Sequence, residues 1–368
     1  MENNIPFFDL SRQHENIKEA VFAALHTVCG QTAFSGGPFV DAFEKDFSST
    51  CKTKHAIGVN SGTSALHLTM LALGIGKDDE VIIPANTFIA TAWAPSYVEA
   101  TPVFADCRPD TWNIDPLSIE GKLTARTKAV IGVHLYGQPF DIDAVKSVCA
   151  KHGIFFVEDC AQAHGAQYKG IPVGGFGEIG CFSFYPGKNL GAYGEGGAVV
   201  TNNEAYDTHI RKLRNHASQV RYYHDELGFN MRMDGFQAAI LSVKLKFLQT
   251  WNTTRKKIAA RYREGITNHT ITVQYQPEWA ESVYHLFVVT TADREGFIEY
   301  LKSHGIGSGL HYPVPCHLQK AYRDLGYKEG DLPNAEYLAK HCVSLPMFPE
   351  MEEHEVSRVI DVVNTYSK

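Results

Sequence analysis

Ile179-Gly180-Cys181-Phe182-Ser183-Phe184-Tyr185-Pro186-Gly187-Lys188-Asn189-Leu190-Gly191-Ala192 is the stretch from which the chain is read. Its first seven residues form a strand-like apolar run that stops at Pro186-Gly187. Lys188 follows at once, and a glycine-rich segment from Gly191 to Gly197 comes next. A lysine on the lip of a buried strand stands out, because removing an ammonium from water is costly. Taken alone, Lys188 reads as the opening of a surface loop. Two other stretches change that reading.

Upstream of this strand, short Val/Ile/Phe runs alternate with helical patterns. Ala56-Ile57-Gly58-Val59 is a strand that ends in the small-residue turn Asn60-Ser61-Gly62-Thr63-Ser64, before the apolar-periodic run from Ala65 to Leu71. Further strands are expected at 81–84, 102–105, 129–133, 154–159 and 197–201, with helices at 14–30, 88–99, 141–152 and 204–216. Continuous apolar strands between helices predict an α/β fold with a mostly parallel sheet buried on both faces. After Asn202 the pattern changes: residues 217–232 are aromatic and polar, and Asp234 to Arg263 reads as one long helix. The last hundred residues read as a smaller α+β domain, with a strand at 284–291 and helices at 293–304, 333–343 and 352–366. The expected division is 1–245 and 246–368.

The chain has 368 residues and a net charge of −7, so it carries no basic footprint for nucleic acid. No apolar run reaches the roughly 20 residues of a membrane span. The start, Met1-Glu2-Asn3-Asn4-Ile5-Pro6, has no basic or apolar leader region. The eight cysteines are scattered without a C-x-x-C, as in a reducing compartment. These features predict a cytoplasmic protein, in which the sequons at Asn252 and Asn268 carry no meaning.

Three features carry chemistry. The turn Ser61-Gly62-Thr63 opening a helix offers backbone amides and hydroxyls to an anion, although a serine or threonine there is also an ordinary cap. Asp159 ends a strand at the edge where open α/β sheets place their ligands. Lys188, if its amine is neutral, can form a Schiff base with a carbonyl. An anion cradle, a carboxylate for a pyridine nitrogen and an amine for an aldehyde together make the set that pyridoxal 5′-phosphate requires.

Other motifs fail on context. Gly175-Phe176-Gly177-Glu178-Ile179-Gly180 matches G-x-G-x-x-G, but it precedes a strand instead of following one. The 17 histidines form no paired ligand spacing, so no metal is expected. Cys160 beside Asp159 reads as core packing.

The chain resembles the DegT/DnrJ/EryC1/StrS group of pyridoxal phosphate-dependent sugar aminotransferases over nearly its whole length. The resemblance rests on Ser35-Gly36-Gly37-Pro38, Asn60 to Leu66, Pro84-Ala85-Asn86-Thr87-Phe88, Glu158 to Gly165, Phe182 to Gly191, Gly194-Glu195-Gly196-Gly197 and Gly228 to Met233. It implies fold type I, with a seven-stranded sheet. It implies that Lys188 carries the cofactor and acts as base, that Asp159 pairs with the pyridinium nitrogen, and that Gln162 binds the ring hydroxyl. It implies further that Phe88 stacks on the ring and that Ser61, Gly62, Thr63 and Ser183 hold the phosphate. Asn230 would reach the phosphate of a neighbouring subunit, so a homodimer would share its sites. Tyr185, Arg221, Tyr222, His311 and Tyr312 would line the sugar-nucleotide pocket. Lysine at 188 favours transamination over the dehydratase chemistry of relatives with histidine there. The run Lys188 to Ala192 resembles the branch that aminates C3 of a dTDP-linked 3-keto-6-deoxyhexose with L-glutamate as donor. Amination at C4 and a dehydratase are the alternatives.

Overall fold

The computed structural model describes residues 4–367; Met1, Glu2 and Asn3 of the N-terminal hexapeptide and Lys368 lie outside it. The chain opens with α1 (Leu10–Gln31) and α2 (Pro38–Cys51), then β1 (His55–Val59), α3 (Gly62–Ala72), β2 (Glu80–Pro84), α4 (Ile89–Tyr97) and β3 (Thr101–Ala105). It continues with β4 (Thr127–Val133), α5 (Ile142–His152), β5 (Phe155–Asp159), β6 (Ile179–Ser183), β7 (Gly197–Thr201) and α6 (Glu204–Arg214). These strands form a seven-stranded sheet of order β1-β7-β6-β5-β4-β2-β3. Only β7 runs against its neighbours; β2 to β6 pair in parallel where they touch. The loops after β1, β2, β4, β5 and β6 therefore all leave from one edge of the sheet.

Both faces are buried, as the apolar runs require. Along β2, Ile82 packs into one cluster while Val81 and Ile83 pack into the other, the period-2 alternation of a strand. On the first face Phe47 meets Phe182 and Phe184 edge to face at 5.0 and 5.2 Å. Each such fully buried ring contributes about 2–3 kcal/mol from apolar burial, and together they anchor both ends of the Ser183 turn. Residue-specific caps start the helices: Ser61 accepts from the Ser64 amide, Asp141 from Ala144 and Asp234 from Gln237.

The C-terminal part contains α7 (Gly235–Leu245), α8 (Leu248–Gly265), β8 (Thr272–Val273), β9 (Phe287–Thr290), α9 (Arg294–Ser303), α10 (Pro333–His341), β10 (Cys342–Leu345) and α11 (Glu353–Thr365). Strands β8, β9 and β10 form a three-stranded antiparallel sheet. The single helix expected over Asp234 to Arg263 is two, broken at Lys246 and Phe247. The break lets Ala238 and Leu241 bury in the core of the large sheet while Ile258 and Tyr262 bury in the C-terminal core. Neither break residue is a poor helix former, so periodicity alone runs straight through it. The helix expected to reach 343 stops at His341, and Cys342-Val343-Ser344-Leu345 becomes a strand because it pairs with β9. Ile5 belongs to the C-terminal core and bridges Ile306.

Among the described residues no helix is long and apolar enough to cross a membrane. Asn252 is buried and spends its amide on Asn189 and on the His164 carbonyl, which rules out glycosylation of the folded chain at that sequon.

Candidate active site

The loop carrying Lys188 is closed on itself. The Ala192 amide donates to the Phe184 carbonyl at 2.8 Å, and the Lys188 amide to the Tyr185 carbonyl at 2.8 Å. A Cβ on Gly191 would stand 2.2 Å from the Pro186 oxygen, so the loop closes only with glycine there. Asn189 pins the loop from inside: its Nδ2 donates to Asn252 Oδ1 at 2.9 Å and to the Val283 carbonyl at 3.0 Å. Its Oδ1 lies 3.2 Å from His285 Nδ1.

Lys188 is thereby held at the sheet edge within the field of Asp159. Burial brings its amine down to about 8, against the opposing pull of the Asp159 charge. Three histidines near it stay neutral for the same first reason, burial, reinforced by the Lys188 charge. His164 is pushed to about 3, His311 to about 4, and His285 well below its ordinary value.

Asp159 terminates β5 and is buried. Its Oδ1 accepts from the Ala161 amide at 3.0 Å and its Oδ2 from Thr91 Oγ1 at 2.8 Å. Burial raises its carboxyl above the ordinary range despite these donors and Lys188. One turn on, Gln162 is oriented without ambiguity. Its Oε1 accepts from the Tyr136 amide at 2.6 Å, so its NH₂ faces the site and meets the Tyr312 hydroxyl at 3.0 Å. Tyr312 also lies against Phe88, with ring centroids 5.8 Å apart, and Phe88 is 51% exposed. His311 is fixed by Ser344 Oγ at 2.8 Å and stacks on Phe7, while the Tyr136 hydroxyl holds its carbonyl.

The anion cradle forms where β1 enters α3. Ser61 is the N-cap; its oxygen accepts from the Ser64 amide at 3.0 Å, and its hydroxyl donates to Ser64 Oγ at 2.9 Å, because the Ser64 proton goes to Asn60 Oδ1. The first intrahelical bond runs from Ala65 to Ser61, which leaves the Gly62 and Thr63 amides as free donors at the positive end of an 11-residue helix. A Cβ on Gly62 would stand 2.7 Å from Ser183 Cβ, so Ser183 packs directly against Gly62.

The G-x-G-x-x-G segment binds a carboxylate of the chain itself. Glu158 accepts from the amides of Gly174, Phe176 and Gly177 at 2.7 to 3.0 Å and lies 3.1 Å from His134 Nε2. His134, Glu158 and Cys160 bring potential donor atoms within 4.8 Å of one another, but those four partners already occupy both Glu158 oxygens.

Asp159, Lys188, Gln162, Phe88, His311 and Tyr312 thus converge, with Gly62, Thr63 and Ser183 at the same sheet edge. Tyr185 lies on the exposed lip. Asn230, Arg221 and Tyr222 do not join them. Asn230 is exposed and holds Arg232 at 2.9 Å, and Arg221 lies over the ring of Tyr222 in an exposed loop tied to α6 through Lys212. The sequence reading missed Thr91, Tyr136 and Asn252, and quoted Thr87 and Asn189 within motifs without giving either a role of its own. The one available signal was the four-residue spacing of Thr87 and Thr91 around Phe88 at a helix start.

The match to known proteins covers this whole arrangement. Residues 15–364 match the DegT/DnrJ/EryC1/StrS aminotransferase family. The chain belongs to that family. It is 44% identical over 362 residues to a dTDP-3-amino-3,6-dideoxy-alpha-D-galactopyranose transaminase of Aneurinibacillus thermoaerophilus, covering 98% of this chain and 99% of that one. It is 42% identical over 365 residues to the dTDP-3-amino-3,4,6-trideoxy-alpha-D-glucose transaminase of Streptomyces venezuelae, covering 99% and 96%. The crystal structure of S. venezuelae DesV in complex with a ketimine intermediate superposes with a TM-score of 0.96 at 42% identity, covering 98% of each chain. The family member described here therefore shares the α/β architecture of these aminotransferases, with its mostly parallel sheet.

Proposed function

We propose that this aminotransferase uses pyridoxal 5′-phosphate to move the amino group of L-glutamate to C3 of a dTDP-linked 3-keto-6-deoxyhexose. The observation that carries the reading is the convergence of the Lys188 amine, the Asp159 carboxylate and the free amides of Gly62 and Thr63 on one sheet edge. The residues fit the cofactor's three chemical handles. Gly62, Thr63 and Ser183 suit its phosphate, Asp159 its ring nitrogen, and the Gln162 NH₂ its ring oxygen, with Phe88 free to stack. When bound, the cofactor supplies an aldehyde that takes up the amine and a protonated ring that accepts electrons as carbon loses its proton. Lys188 Nζ, whose amine titrates near 8, would be the base placed to take the proton from the donor's α-carbon. Asp159 would hold the ring nitrogen and favour its protonated form. Burial leaves His164, His285 and His311 only weakly basic, so Lys188 is the stronger base among them.

The C3 preference is supported by the Asn189-Leu190-Gly191-Ala192 run and by the 3-amino products named for the two transaminase relatives. A homodimer is supported by the exposed 217–230 loop, which carries Tyr222, Tyr223 and Leu227 at 78%, 71% and 92% exposure. In this reading the loop and Asn230 complete the partner's site, and Arg221 and Tyr222 join Tyr185, His311 and Tyr312 around the sugar nucleotide. The test supplies 3-keto and 4-keto dTDP-6-deoxysugars side by side with ¹⁵N-glutamate and locates the nitrogen by NMR. Nitrogen at C3, with one 2-oxoglutarate released per sugar, is expected. Nitrogen at C4 would move the protein to the other branch, and sugar turnover without 2-oxoglutarate would make it a dehydratase.

A further inference from the structure

Two hydroxyls reach Asp159 in series. Thr91 Oγ1 donates to Asp159 Oδ2 at 2.8 Å, and Thr87 Oγ1 lies 2.9 Å from Thr91 Oγ1. All three side chains are buried, at 4% exposure or less. An ionised carboxylate only accepts, so it takes the one Thr91 proton; Thr91 must then accept from Thr87. The chain Thr87 to Thr91 to Asp159 is thus polarised toward the carboxylate, and each bond strengthens the next. The two threonines are four residues apart across the start of α4, with Phe88 between them as the N-cap. One turn of chain therefore presents a stacking ring outward and two hydroxyls inward.

The other groups facing Asp159 do not replace this support. Lys188 and His134 act on it by charge alone, while Tyr312, Cys160 and Cys181 are kept neutral first by burial. Glu158, next in the chain, is committed to its own donors. Without Thr91 the Oδ2 oxygen would have no donor from the chain in a site where burial favours the neutral acid.

We propose that Thr91, polarised by Thr87, is a positioning residue that keeps Asp159 ionised and aimed at the cofactor's ring nitrogen. The inference rests on the pyridoxal phosphate reading above. A neutral Asp159 would offer no anionic acceptor to a ring N–H, whereas a carboxylate already held by Thr91 accepts it directly.

The experiment measures pyridoxal phosphate affinity of the folded apoprotein as a function of pH for wild type, Thr91→Val, Thr91→Ser and Thr87→Val. Loss of one charge-assisted hydrogen bond predicts about tenfold weaker binding for Thr91→Val near neutral pH. The loss should widen as pH falls, because an unsupported Asp159 takes up a proton sooner. Thr91→Ser should restore both affinity and pH profile, and Thr87→Val should show a smaller loss in the same direction. The ¹⁵N shift of the labelled ring nitrogen should move toward the unprotonated form in Thr91→Val, less so in Thr87→Val, and not in Thr91→Ser. Should Thr91→Val fail to fold, Thr91→Ala against Thr91→Ser makes the same comparison. Unchanged affinity and pH profile in Thr91→Val, or a serine variant as weak as valine, overturns the proposal. If wild type itself takes no pyridoxal phosphate onto Lys188 after borohydride, the cofactor reading fails and the inference goes with it.

Discussion

Glu158 and Asp159 are consecutive carboxylates at the end of β5 with opposite surroundings. Glu158 accepts three backbone amides and lies against His134; Asp159 has one amide and one hydroxyl. Burial pushes both upward. The His134 hydrogen bond and the amides overcome it at Glu158, which is held below its ordinary value, whereas Asp159 stays above its own. One carboxylate is saturated with donors from the chain, and the other keeps acceptor capacity to spare.

Glu158→Gln should therefore cost about 3 kcal/mol of stability, since it leaves buried donors facing an amide. Asp159→Asn should leave the apoprotein at least as stable as wild type while removing cofactor binding. The pH dependence separates them further. A lowered glutamate contributes stability that is present above its ordinary value of 4.5 and lost as pH falls through its folded value. Glu158→Gln should flatten that acid limb in thermal melts. Equal losses of stability in the two variants would show that the two carboxylates do the same job.

Lys188 must be neutral to attack an aldehyde. Its amine titrates near 8, so the rate of cofactor capture should rise with pH to a midpoint near there, well below the usual 10.5. Asp159 is the group that raises it, so Asp159→Asn should move the midpoint down. The same lowered amine gives the apoprotein stability that grows as pH rises from about 8 to 10.5, where the unfolded chain still binds the proton. Lys188→Ala should abolish borohydride-stable attachment of the cofactor, read by mass spectrometry. Attachment surviving in that variant would move the site to another lysine.

Gly62 is required by its contact with Ser183. Gly62→Ala places a methyl 2.7 Å from Ser183 Cβ, which predicts a cost of about 1–3 kcal/mol and weaker binding of the cofactor phosphate. Ser183→Gly in the same chain removes the nearest atom and should return part of the stability. Calorimetry of the single and double variants checks this; additive losses in place of rescue would refute the contact.

Asn189 ties the lysine loop to Asn252, Val283 and His285. Asn189→Ala should cost about 2 kcal/mol, because it strands buried partners of a satisfied amide. It should also lower kcat more than it raises KM, since the loop carries Lys188, the proposed base. A fall in stability with kcat intact would separate the anchor from the chemistry.

The proposed dimer makes a complementation experiment decisive. Lys188→Ala and Asn230→Asp should each be inactive as homodimers, the second by placing an anion beside the phosphate. Co-expressed, they should recover about a quarter of wild-type activity, because half the dimers are mixed and each holds one intact site. No recovery would place Asn230 outside the partner's site.

Much of this was legible in the chain. Continuous apolar runs marked all seven strands of the large sheet, because strands buried on both faces leave no room for polar alternation. Lys188, Asp159 and the Ser61-Gly62-Thr63 turn were visible because each ends or follows such a strand. Less legible were the break at Lys246 and Phe247 and the strand at Cys342–Leu345. Both exist because of what they pack or pair with, and neither carries a local signal of its own.

The sequence by itself determined which residues can do chemistry and at which edge of the sheet they stand, since strand ends and helix starts are local properties. Only the tertiary structure decided how each is held. It spent the glycine motif on Glu158, turned the Gln162 NH₂ toward the site through Tyr136, and put Thr91 on Asp159 across 68 positions of chain. It also joined Asn189 to Asn252 across 63. Thr91 and Asp159 meet because parallel strands bring the segments after β2 and β5 to one edge, and Asn252 reaches Asn189 from α8. Burial at that edge is why the amine of Lys188, an ordinary loop lysine by composition, titrates near 8.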